Sequence, residues 1–332
     1  MKKIVFIGGG GGSKNILPGL KNDFDCVAVV TTFDNGGSYG QLRYQYQTVL
    51  SGDVRDALIA LADNANLADI WQWRFAAGDF KGHSLGNLFL ANLYDNLKDY
   101  NQVLKLASEI LKVKGKVGPV SFDWAELTAE LTDGTIIAGE TKIDEVEPGV
   151  KRSPIKKVYL SRPRRQSRRD KPVKVNPEVV EAIVEADLII IGPGDLYTSL
   201  IPNFLPTGVT EAIKKSKAKK VYFINKFTTL GQTDSLTAFD HAVEIENYLG
   251  SSLDVVVINS SLVSDKILEH YRKRNERLVE VDLERLKSGP YQIIEADLLA
   301  DEFVEKAKSD KLKRSVIIND PQKVLRLVQG II

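Results

Sequence analysis

Lys2 to Ser13 reads KKIVFIGGGGGS. The apolar run Ile4 to Ile7 predicts a short buried strand, and Gly8, Gly9, Gly10, Gly11 and Gly12 follow it. Ser13 then stands where a cap is expected for a helix running to about Leu20. A glycine run between strand and helix lets the main chain approach a ligand that a Cβ would keep away. The start of a helix also presents N–H groups and a partial positive charge, which suit phosphate. The first expectation is therefore a nucleotide or another phosphorylated ligand.

Cys26 to Thr31 reads as a second buried strand, rich in β-branched residues, and it ends in Phe33-Asp34-Asn35-Gly36-Gly37-Ser38-Tyr39-Gly40. Strand, helix and strand at this spacing form a βαβ unit, which predicts a parallel sheet. Both loops then lie at carboxyl ends of neighbouring strands, where open α/β sheets bind ligands. The alternation returns later. Pro177 to Glu185 reads as a helix with proline in its first turn, and Asp187 to Ile191 as a continuous apolar strand. That strand ends in a second glycine corner, Gly192-Pro193-Gly194-Asp195-Leu196-Tyr197-Thr198-Ser199. Lys220 to Asn225 and Leu253 to Asn259 read as further strands. The expected fold is a Rossmann-like α/β domain spanning 1–332, with a mostly parallel sheet and helices on both faces. Asp133-Gly134 marks a hairpin between Glu126 to Leu131 and Thr135 to Ala138. It places a small antiparallel β excursion within 117–160. Arg162 to Lys171 is a densely basic loop. It reads as a solvated surface insertion, with a polyanion contact as the alternative.

The bulk numbers narrow the classes. The chain has 332 residues, 43% hydrophobic and 27% charged, with a net charge of +1. A near-neutral balance gives no case for specific nucleic-acid binding. No apolar run approaches the roughly 20 residues of a membrane span. The single cysteine, Cys26, lies in an apolar strand and forms no intrachain disulfide, which fits a reducing cytoplasm. A homo-oligomer is compatible with this composition.

Several loops carry candidate chemistry. Gly8 and Gly10 match part of a dinucleotide fingerprint, with Ser13 at the third glycine and Asp34 as the ribose acid. Gly12-Ser13-Lys14 has the wrong order for a P-loop. Gly52-Asp53-Val54-Arg55 opens a helix, and Asp53 is expected as its N-cap. Gly82-His83-Ser84-Leu85-Gly86 matches the G-x-S-x-G nucleophile elbow in letters, but no buried strand precedes it. Ser84 reads better as the cap of the helix containing Asn87. Asn225, Asp234 and His241 complete the candidate set. Asp34, Asp53 and Asp234 are candidate ligands for Mg²⁺ bridged to phosphates.

In this order the motifs resemble the YvcK-type gluconeogenesis factors, within the CofD-like family named after 2-phospho-L-lactate transferase. The resemblance covers Lys3 to about Leu327. It implies a cytoplasmic protein with a nucleotide cleft at the strand ends. In the YvcK-type branch it implies uridine-diphosphate-sugar ligands and a role in cell shape, cell wall and gluconeogenic growth. In the transferase branch it implies a magnesium-dependent reaction on a guanosine-diphosphate-linked donor. Four departures stand out. Gly11 replaces a threonine, and Thr228-Thr229-Leu230-Gly231-Gln232-Thr233 replaces Thr-Gln-Pro-Gly-Glu-Thr. Asp195 replaces a serine, and Ile318-Asn319-Asp320 replaces Arg-His-Asp. The last removes a guanidinium suited to bidentate phosphate contact.

Overall fold

The computed structural model describes residues 1–146, 149–162, 171–300 and 316–332. Most of the basic loop, 163–170, lies outside the described residues. Seven strands form one parallel sheet: β1 (Lys3–Gly8), β2 (Asp25–Val30), β3 (Lys116–Pro119), β7 (Leu188–Ile191), β8 (Lys219–Phe223), β9 (Val255–Asn259) and β10 (Gln292–Ala296). Between them in sequence come β4 (Glu126–Leu131), β5 (Ile136–Ala138) and β6 (Ile155–Ser161), which form a separate antiparallel sheet. The large sheet has the spatial order β10-β9-β8-β7-β1-β2-β3. Its first three strands run outward from β1 on one side, and the later four on the other. The direction reverses between β1 and β7, whose registers pair Ile7 with Ile191. That crevice is the topological switch point, where such sheets bind ligands.

Period-two alternation explains why these strands are apolar throughout. Val5 and Ile7 of β1, Ile189 and Ile191 of β7, and Val256 and Ile258 of β9 enter one core. Ile4 and Phe6, Leu188 and Ile190, and Val255 and Val257 enter the other. Both sheet faces are therefore covered, as parallel sheets require. The β4–β6 sheet adds Leu127, Ala129 and Val158 to the first core. The expected excursion over 117–160 is narrower than the sequence suggests, because β3 pairs with β2 and extends the main sheet.

The glycine run differs from expectation. Helix α1 spans Gly10–Leu20, so the glycines form its first turn rather than a loop before it. Gly9 holds the N-cap position, and the Ser13 hydroxyl donates to the Gly9 carbonyl at 3.0 Å, one turn inside the helix. The reason is close packing. A Cβ on Gly12 would sit 2.1 Å from the Pro193 carbonyl oxygen, and one on Gly10 would sit 2.6 Å from Asp56 Cβ. A Cβ on Gly11 meets nothing within 4 Å.

Helix α2 spans Gly37–Tyr46 and α3 spans Gly52–Leu61. Ser51, not Asp53, caps α3: its Oγ accepts from Val54 N at 3.4 Å and donates to the Thr31 carbonyl at 2.9 Å. The cap thereby ties α3 to the end of β2 and leaves Asp53 in the first turn, facing α1. Buried Arg43 of α2 donates to the carbonyls of Thr32 at 2.9 Å, Asp34 at 2.8 Å and Ala125 at 2.5 Å. Its guanidinium also lies 4.6 Å from the Trp124 ring centroid. This one side chain clamps the β2 corner to the entry of the small sheet.

Substitutions in the glycine run separate packing from conformational freedom. Gly12→Ala forces α1 away from Pro193 and costs roughly 1–3 kcal/mol. Gly11→Ala has room and is neutral or slightly stabilising, since alanine exceeds glycine in helix propensity by about 1 kcal/mol. Urea unfolding midpoints of the two variants check the contrast.

Candidate ligand cleft

A cavity of about 610 Å³ opens at the carboxyl ends of β1, β7, β8 and β9. That volume lies within the usual range for small-molecule sites. The first wall is the α1 turn, Gly9 to Gly12 with Lys14 and Asn15, facing Gly52, Asp53, Arg55 and Asp56 of α3. Gly10 N donates to Asp53 Oδ1 at 2.9 Å. The amides of Gly11 and Gly12 precede the first intrahelical bond, Ser13 N to Gly9 O at 3.0 Å. Asp56 is buried and takes two cations on Oδ1, Lys14 Nζ at 2.9 Å and Arg55 Nη2 at 2.6 Å. Arg55 Nη1 continues the network to Ser84 Oγ at 2.7 Å and Asn87 Oδ1 at 2.9 Å.

The second wall joins Asp34, Gly36 and Ser38 to Glu140, Thr141 and Asp144 from just beyond β5. The Gly36 amide donates to Asp34 Oδ1 at 2.7 Å. The carboxyls of Asp34 and Glu140 act directly on each other. Burial holds the Asp34 carboxyl above its ordinary range, opposed in part by the Gly36 amide and by Arg43 and Arg55. Burial, reinforced by the charges of Asp34 and Asp144, holds Glu140 well above its own. Two crowded carboxyls of this kind share a proton, or accept a cation in its place.

The third wall comes from the β7 corner: Pro193, Gly194, Asp195, Thr198 and Ser199. Asn225 at the end of β8 clamps it, accepting from Gly194 N at 2.9 Å and donating to Gly194 O at 2.8 Å. Thr229 Oγ1 donates to Asp195 Oδ1 at 2.6 Å. The fourth wall carries Lys226, Phe227, Asn259, Tyr271, Arg274, Glu276 and Val316 to Asn319. Phe227 and Tyr271 stack with centroids 3.7 Å apart.

Fourteen residues expected in the site line this cavity: Gly9, Gly10, Gly11, Gly12, Asp34, Gly36, Ser38, Asp53, Arg55, Asn87, Gly194, Asp195, Thr198 and Asn225. Gly8, Ser13, Asn35, Gly37, His83, Ser84, Gly192, Tyr197, Asp234 and His241 are not on its surface. Asn35 is turned to the protein, where its Oδ1 accepts from Thr141 N at 3.0 Å and Thr141 Oγ1 at 2.9 Å. His83 stands behind Ser38, with Nδ1 2.9 Å from Ser38 Oγ, and burial with the Arg74 charge lowers its pKa. Ser84 is fully buried as the cap of helix α5 (Leu85–Leu97), which follows α4 (Ala65–Gln72), so it is not a nucleophile. Tyr197 packs into the core, and its burial raises the phenol pKa. His241 is buried in the helix Ala238–Leu249, with Nδ1 2.9 Å from the Thr237 carbonyl oxygen.

The expected Asp34, Asp53 and Asp234 set does not assemble. Asp234 instead accepts from Gly231 N at 2.7 Å, outside the cleft. Carboxylate oxygens suit a hard cation. Among the described residues, however, no group of three or more His, Cys, Asp or Glu is arranged to hold a metal. Sequence reading also missed Lys14, Asp56, Glu140, Asp144, Lys226 and Asn319. Asp56 was within reach, since it shares a helix face with Asp53. Glu140 gave no such signal, because the small sheet delivers it from far along the chain.

The fold and cleft define a Rossmann-like α/β protein with a large pocket at its switch point. The sequence profile of the family described as 2-phospho-L-lactate transferase CofD matches residues 4–299. The gluconeogenesis factor of Bacillus subtilis is 37% identical, over 98% of this chain and 96% of its own. A relative from Thermotoga maritima is 44% identical over 86% of this chain and 88% of its own. A crystal structure of a UPF0052 family member from Bacillus halodurans superposes with a TM-score of 0.87 at 36% identity, covering 99% of this chain and all of that one. The chain belongs to the CofD family, among its gluconeogenesis factors. No helix among the described residues is long and apolar enough to cross a membrane.

The carboxyl pair makes stability depend on pH. Both groups bind protons more tightly folded than unfolded. Their stabilising contribution is complete below the ordinary carboxylate range and is lost as pH rises through the raised folded values. Glu140→Gln removes this penalty. Its melting temperature is expected to exceed wild type at neutral pH, with the gap closing as pH falls toward 4.5, the ordinary value for a glutamate. Equal pH slopes for the two proteins would contradict the assignment.

Proposed function

We propose that the protein is a regulatory binder of a nucleotide-diphosphate-linked ligand, with uridine-diphosphate sugars the foremost class. Its role is then the one its relatives' name denotes, in carbon use, together with cell shape and cell wall as the resemblance implies. The observation that supports this is the first turn of α1. It is built of glycines, wedged against Pro193 and open at Gly11, and it lines the switch-point cavity at the start of a helix. Such a wall suits a diphosphate. Ser38, Asn87 and Thr198 supply neutral hydrogen-bonding groups for a sugar or base.

A second reading, a CofD-like transferase using magnesium, is favoured by the carboxylates that line the cleft, Asp34 and Glu140 on the second wall and Asp53 on the first. Titration calorimetry with uridine-diphosphate sugars, with and without magnesium, is expected to give saturable binding. The absence of heat at millimolar ligand in both conditions contradicts the proposal. Product formed from a guanosine-diphosphate-linked donor and a deazaflavin acceptor would move the assignment to the transferase.

A further inference from the structure

The cleft is electrically divided. Asp34, Asp53, Glu140 and Asp144 crowd the end near β1 and β2, while Lys226, Asn259 and Asn319 occupy the end near β8 and β9. We propose that Lys226 is the cation that receives the phosphate of the ligand, an inference that rests on reading the cleft as a nucleotide-diphosphate site.

Several other cations on the cavity wall are already matched. Lys14 and Arg55 share Asp56, and Arg274 lies 3.4 Å from buried Glu276. Lys226 is held differently. Its ammonium donates to the main-chain carbonyl of Asn259 at 2.7 Å, and no carboxylate among the described residues stands at ion-pair distance from it. Asp297, the acid that acts on it from farther away, is itself paired with Lys323 at 2.8 Å. Burial lowers the pKa of Lys226, so this end of the cavity disfavours a positive charge without an anion. An ammonium has three donors, and the Asn259 carbonyl uses one.

The position is also rigid. Asn225, the preceding residue, is doubly bonded to Gly194, and Val279 N donates to the Lys226 carbonyl at 3.1 Å. A line of neutral amides joins Lys226 to the α1 turn. Asn259 Nδ2 donates to Asn319 Oδ1 at 3.4 Å, Asn319 N to Asn15 Oδ1 at 2.8 Å, and Asn15 Nδ2 to Gly11 O at 3.0 Å. No acidic side chain among the described residues takes part in this line, so an anion lying along it meets amide groups and one cation.

The test is calorimetry on the full chain with uridine diphosphate, inorganic pyrophosphate and uridine. Lys226→Gln keeps a donor for the Asn259 carbonyl and removes the charge, while Lys226→Arg keeps the charge. Unchanged apo melting temperatures establish that both variants are folded. Lys226→Gln is expected to weaken uridine diphosphate and pyrophosphate roughly 10- to 100-fold, as loss of a charged hydrogen bond does. It leaves uridine unaffected, and Lys226→Arg retains most of the phosphate affinity. Equal affinity of wild type and Lys226→Gln for both phosphates overturns the role of Lys226. A wild-type protein that binds neither phosphate overturns the reading of the cleft itself.

Discussion

The contact on which the site depends is that between Gly12 and Pro193. The Pro193 carbonyl oxygen lies 2.1 Å from where a Gly12 Cβ would stand, so only a glycine lets α1 reach the β7 corner. That approach closes the crevice between β1 and β7, the two strands at which the sheet reverses its order. With α1 seated there, Gly10 N comes within reach of Asp53, and Asn15 within reach of Asn319. The geometry of three cavity walls thus follows from the absence of one methyl group.

Charge placement is the second constraint. The buried Arg55–Asp56 pair is bonded onward to Lys14, Ser84 and Asn87, which leaves it well satisfied in a low-dielectric setting. Asp34 and Glu140 are not satisfied in that way. Their raised pKa values mark a place where the fold tolerates a destabilising arrangement of charge, which is characteristic of binding sites. At the opposite end no carboxylate among the described residues stands at ion-pair distance from Lys226. The cleft therefore carries an unresolved excess of each sign at its two ends, which a ligand bearing both anionic and hydroxyl groups would relieve.

Much of the fold was legible because local pattern and tertiary role agree. The apolar runs of β1, β2, β7 and β9 are buried on both faces, and the Asp133-Gly134 turn joins β4 and β5 as a hairpin. The glycine corners likewise mark the strand ends at which the cavity opens. Side-chain direction was much less legible. Asn35 and Tyr197 lie in the right loops, but one is bonded to Thr141 and the other is sunk in the core. His241 was among the candidates, yet the helix phase turns it inward. Glu140 and Arg43 act across long stretches of chain, and no local spacing announces such partners.

The most direct measurement is amide hydrogen exchange with and without a uridine-diphosphate sugar. Capture at the switch point predicts slowed exchange in Gly9 to Ser13, at the Asp34 to Ser38 corner and in Asn225 to Thr229, with the outer helices unchanged. Unaltered exchange in these three segments under saturating ligand, or protection confined to another part of the surface, would contradict it.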